Sequence, residues 1–231
     1  MNLRVILLVI LVLIFTISGI YLSALSFAST SLENSYNNGE VEIIQNTTAG
    51  TIPHIILVKN NGKKPIMVET GQILTSNSSQ DLVVAEDKKV NQNSSSYIMA
   101  YCFQPNQTAV PGSKLKPTDK ASTEVKQLIT NSNLTNPQNT TRTQLQIWII
   151  VSKDKLDFNS GEASLFIQNQ TINSTEITKQ LNEARENLIQ KLNITEGEIK
   201  NIKPDSSVGS TDIIIWTNEF INWIKISFNI S

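Results

Sequence analysis

The sequence is poor in the residues that most often carry chemistry. It has one cysteine, Cys102, and one histidine, His54, in 231 residues. A single cysteine excludes an intramolecular disulfide, so stability must come from packing. The CxxC and HExxH patterns are absent, as are an Asp-rich loop and a Gly-rich run ahead of a helix. No metal and no cofactor is therefore expected. Charge of one sign is lacking too. The 19 Lys and Arg balance 20 Asp and Glu, both signs are scattered, and the net charge is −1. That leaves no electrostatic basis for nucleic-acid binding. The carboxylate pairs Glu86-Asp87 and Glu196/Glu198 sit in turn-like polar surroundings and read as solvated surface. There is no internal repeat.

A long apolar run is present at the start. Met1-Asn2-Leu3-Arg4 leads into Val5–Phe15, which has no polar residue, and nothing charged follows before Glu33. As a helix, Val5–Ala28 would be about 36 Å long, enough to cross a hydrocarbon core. It reads as a membrane anchor rather than a cleaved signal, although Ser26-Phe27-Ala28 offers small residues at a cleavage site. Arg4 stays inside in either case, which places the bulk of the chain outside the cytoplasm. Ten Asn-x-Ser/Thr sequons follow, at Asn46, Asn77, Asn93, Asn106, Asn133, Asn139, Asn169, Asn173, Asn193 and Asn229. That is about twice the number chance ordering gives, and it suits a glycosylated exported protein.

The apolar pattern divides the chain into 1–28 (signal or anchor), 29–40 (polar spacer), 41–152 and 153–231. From Val41 the texture is short apolar runs between turn residues: 41–44, 52–59, 66–69, 82–85 and 97–103. Asn60-Asn61-Gly62 is a hairpin signal. The expected fold is mainly β with appended helices, an antiparallel β-sandwich following the membrane-crossing helix. Tyr97, Met99, Tyr101 and Phe103 share one face of the last strand, and Ile98, Ala100 and Cys102 the other. Helical spacing appears within Thr118–Thr130, with Thr118 or Asp119 as cap, and again in Thr175–Leu192, where Ile177, Leu181, Ala184, Leu188 and Leu192 form a stripe. Gln144–Ser152 is apolar without a readable period. Asp212–Ser231 reads as core structure, because the basic face of an interfacial helix is missing.

His54 opens a predicted strand and reads as a surface or edge-strand histidine. Cys102 with His54 as base is a formal thiol-hydrolase pair, but Cys102 lies mid-strand, away from any helix N-terminus that would lower its pKa. The sharper constellation is Tyr101-Cys102-Phe103 together with Thr143-Gln144-Leu145-Gln146-Ile147-Trp148. It resembles the thioester domains of surface adhesins. The resemblance implies that Cys102 and Gln144 are the two ends of an internal thioester, with Tyr101, Phe103, Ile147 and Trp148 packed around it. Gln146 stands at that family's Ala position, and is the alternative partner if the second motif is a strand. Such a bond forms with loss of ammonia and captures an amine on a partner.

The sequence thus predicts a membrane-anchored or secreted, extracytoplasmic cell-surface protein that is not an enzyme. Its membrane contact is residues 5–28, and its partner a protein or surface glycan bound by a binding or adhesion module. The alternative is a structural or accessory subunit of a cell-envelope assembly, which requires an exposed apolar face such as that of Thr175–Leu192.

Overall fold

The structure is a computed structural model that describes residues 29–153 and 155–206. The segment Val5–Ala28, the sequon at Asn229 and the stretch Asp212–Ser231 lie outside the described residues. Nine strands are formed: β1 (Thr30–Ser31), β2 (Val41–Gln45), β3 (His54–Asn60), β4 (Ile66–Val68), β5 (Gln72–Thr75), β6 (Leu82–Val84), β7 (Lys88–Val90), β8 (Ser94–Cys102) and β9 (Lys114–Lys120). The helices are α1 (Leu32–Asn37), α2 (Thr123–Thr130), α3 (Pro137–Ser152), α4 (Gly161–Gln170) and α5 (Ser174–Leu192), followed by a 3-10 turn, Glu196–Asn201.

The β region is a closed barrel, not the expected sandwich. Its order is β2-β3-β8-β6-β5-β9, and β9 pairs antiparallel with both β5 and β2 to close the ring. Residues 114–120 carry that closure, and a two-sheet packing has no such strand. A small sheet β1-β4-β7 lies beside the barrel. The short stretch read as a spacer contributes to it: β1 pairs parallel with β4, and Leu32 and Ser35 of α1 are buried. Asn60-Asn61-Gly62 is a turn but not a hairpin. Strand β3 pairs with β2 and β8, whereas β4 joins the small sheet. The Asn60 side chain makes the join, donating to the carbonyls of Lys64, Val90 and Asn91 and accepting from Gly62 N–H.

Period-two alternation decides which side chains fill the barrel. On β2, Val41, Ile43 and Gln45 are buried; on β3, His54, Ile56, Val58 and Asn60. Ile98 and Ala100 of β8 join Leu74, Leu82, Val84 and Leu115 in the same core. Residues of the opposite parity, Ile73, Val83 and Tyr101, face a second core made with the helices. Helix α3 runs through the middle of that second core. Leu145, Ile147, Trp148, Ile149 and Ile150 are all buried, as are Gln144 and Gln146, so its second half is enclosed on every side. Helix α5 lays Ile177, Ala184 and Leu188 into the same core. Among the described residues no helix is long and apolar enough to cross a membrane. The expected membrane-crossing helix, Val5–Ala28, lies outside those residues.

Candidate functional site

The barrel rim and the helices meet at a buried polar network. It gathers the end of β2, the start of β3, the loop before β6, the end of β8 and the N-terminus of α4. His54 is its centre and is fully buried. Its Nε2 lies 3.0 Å from Glu162 Oε1 and 2.8 Å from the Gln80 amide nitrogen. Its Nδ1 lies 3.0 Å from the Thr47 hydroxyl and 3.2 Å from the Gln45 amide. A ring proton on Nε2 donates to Glu162 and leaves Nδ1 to accept from Thr47; Nε2 accepts from the Gln80 amide only in the other tautomer. The Thr47 oxygen in turn accepts from Ile55 N–H. The Cys102 thiol donates to Gln80 Oε1 at 2.8 Å, so one amide links the only cysteine to the only histidine.

Glu162 reaches this site because α4 starts against two loops. Its carboxylate accepts from Gly50 N–H and from Ala109 N–H. The first amides of the helix have partners too, Glu162 N–H donating to Gln107 O and Ala163 N–H to Pro105 O. This docking depends on Gly161, which has φ +61°; a Cβ there would stand 2.4 Å from Asn106 C.

A second feature is open to solvent. A cleft of about 380 Å³ lies between α3, α4 and α5. Leu145, Phe166 and Ile172 give it apolar lining, Arg142, Glu176 and Glu183 are its charged members, and Gln180 is among its uncharged polar ones. Arg142 makes no ion pair with any described carboxylate. Gln180 donates to Glu176 Oε1, while its own buried Oε1 receives no hydrogen bond. Burial holds the Lys191 ammonium below its ordinary pKa, and the Arg142 charge adds to the effect.

The ARPP-1 family model, described as the ARG and Rhodanese-Phosphatase-superfamily-associated Protein domain, matches residues 10–215. The chain belongs to this family. No curated protein and no solved structure matches it. Membership in the ARPP-1 family overturns the resemblance to thioester domains of surface adhesins, and the expected adhesion role falls with it.

The ARPP-1 chain does bring the two motifs together, but through other atoms. The Gln144 side chain pairs with the Cys102 main chain, its oxygen accepting from Cys102 N–H at 2.9 Å and its nitrogen donating to Cys102 O at 2.8 Å. The sulfur is turned toward Gln80 and is a free thiol. The second motif is helix α3, so Gln146 does not share a face with Gln144. It donates to Ala184 O and Asn187 Oδ1 on α5. Of the packing residues, Ile147 is buried and Trp148 meets Phe166 edge-on at 6.0 Å between ring centroids. Tyr101 shares a hydroxyl contact with Ser132, which also accepts from Thr143. Phe103 is half-buried against the same core.

Burial pushes the Cys102 thiol pKa far up, and the neighbouring Glu162 charge pushes it further. A thiol held protonated and out of water is not a nucleophile. His54 is not the surface residue that its place at a strand start suggested. Its parity with Ile56 and Val58 is the signal that could have put it inside. No comparable signal marks Glu162, which meets Gly50 across 112 residues of chain. Asn46, Asn77, Asn93, Asn106, Asn133, Asn169, Asn173 and Asn193 are exposed, and Asn139 is half-buried.

Proposed function

We propose that this chain is a non-catalytic binding module that serves as an accessory to other proteins. One observation carries the reading: the chain's only thiol and only imidazole are sealed in a hydrogen-bonded junction between barrel and helices, with the thiol held protonated. A side-chain set committed to joining two layers is unsuited to attack on a substrate. The family description, a domain associated with the rhodanese-phosphatase superfamily, fits an accessory role. The structural-subunit alternative is weaker, because the apolar stripe of α5 that it would expose is spent inside the molecule on α3.

Native protein treated with iodoacetamide tests the reading. Cys102 is expected to stay unlabelled until denaturant is added. Labelling of the folded chain at the rate of a free thiol would overturn it and make Cys102 with His54 a candidate hydrolase pair. An extracytoplasmic location belongs to the same proposal, supported by the exposed sequons. Peptides covering Asn133 and Asn139 from native material are expected to include a glycosylated form; their uniform lack of sugar counts against that location.

A further inference from the structure

We infer that the cleft between α3, α4 and α5 binds a small apolar amino acid in its free zwitterionic form. The inference rests on the reading of the chain as a binding module and gives that module its ligand. The volume of about 380 Å³ falls within the range of small-molecule sites. The lining specifies the chemistry. Arg142 is a half-buried guanidinium without a carboxylate partner among the described residues, and a fork of this kind is matched by a carboxylate. Gln180 lines the same cleft, its side-chain nitrogen donating to Glu176 while its oxygen accepts no hydrogen bond.

Glu176 and Glu183 line the same cleft and add negative charge near that oxygen. A purely anionic ligand would meet these two carboxylates, and a purely cationic one would meet Arg142. A ligand with both charges satisfies the charged lining, with its carboxylate on Arg142 and its ammonium toward Glu176 and Glu183. Leu145, Phe166 and Ile172 supply the apolar wall for the side chain.

Calorimetric titration of the full chain tests this with leucine, phenylalanine, N-acetyl-leucine and leucinamide. Leucine or phenylalanine is expected to bind, and both blocked derivatives to bind at least tenfold more weakly. Arg142→Gln is expected to weaken binding at least tenfold without moving the unfolding transition. Glu183→Gln, at an exposed position, is expected to weaken it too, and serves if Arg142→Gln does not fold. Absence of binding by either free amino acid overturns the inference. So does equal binding of the blocked forms, or unchanged affinity in the variant that folds. Iodoacetamide labelling reports separately on the module reading. A sealed thiol with no amino-acid binding refutes the ligand alone, whereas a reactive thiol refutes the module.

Discussion

Cys102 holds its proton because its surroundings favour the neutral thiol, and that preference links folding to pH. The unfolded chain releases the proton near an ordinary thiol pKa of about 8.5, whereas the folded chain retains it to higher pH. The pKa is raised on folding, so its share of stability is full below the unfolded value and is lost as pH rises above it. Denaturant titrations at increasing alkaline pH are expected to show a decline in the wild type that is smaller in Cys102→Ala. Equal slopes in the two proteins would mean that the thiol does not couple to folding. The sequence marked this residue as unusual and placed it in a strand, where it lies, but it packs with Tyr101 in the helix-side core rather than with Ile98 and Ala100. What it could not show was the direction of the sulfur. That direction is set by Gln80 and Gln144, residues from a loop and a helix whose approach depends on the whole fold.

Among the elements, α5 was the most legible. Of its expected stripe, Ile177, Ala184 and Leu188 are buried, and Leu181 and Leu192 are partly buried against the same core. Leu188→Ala is expected to cost about 2–4 kcal/mol, since it removes a fully buried side chain against α3. Thermal or urea unfolding checks it, and a loss under about 0.5 kcal/mol would mean that the helix is only loosely docked. Helix α3 was unreadable for the opposite reason. Its second half is buried on every side and has no exposed face to set a period, so the apolar run suited helix or strand alike. Strand β9 was missed altogether. Its run Lys114-Leu115-Lys116-Pro117 buries only a thin apolar face, and Pro117 lies where the register against β5 shifts. The helix read from Thr118 begins instead at Thr123, capped by Ser122, because 118–120 still belong to the barrel.

At the scale of the molecule, Glu162 ties the helices to the barrel. Its carboxylate serves two loop amides and an imidazole at once. Glu162→Ala leaves those donors buried without an acceptor, and a loss of about 3–5 kcal/mol is expected. Urea unfolding followed by circular dichroism measures it; a variant within about 1 kcal/mol of the wild type would show that water or a neighbouring oxygen replaces the carboxylate. The apolar runs of the first half foretold a β domain, and five of its strands were visible as such runs. The choice between sandwich and barrel rested on which strands are neighbours, a matter of long-range pairing that local patterning does not encode.

The ring closed by β9 has a consequence for how this protein behaves in company. A sheet that pairs with itself all the way round presents no row of vacant amides and carbonyls for a foreign strand to extend. The other described sheet ends in edges of two and three residues, β1 and β7, too short to template a fibril. Crowded together, copies of this domain would find among the described sheets little backbone to pair with, so recognition there falls to the shape and charge of side chains.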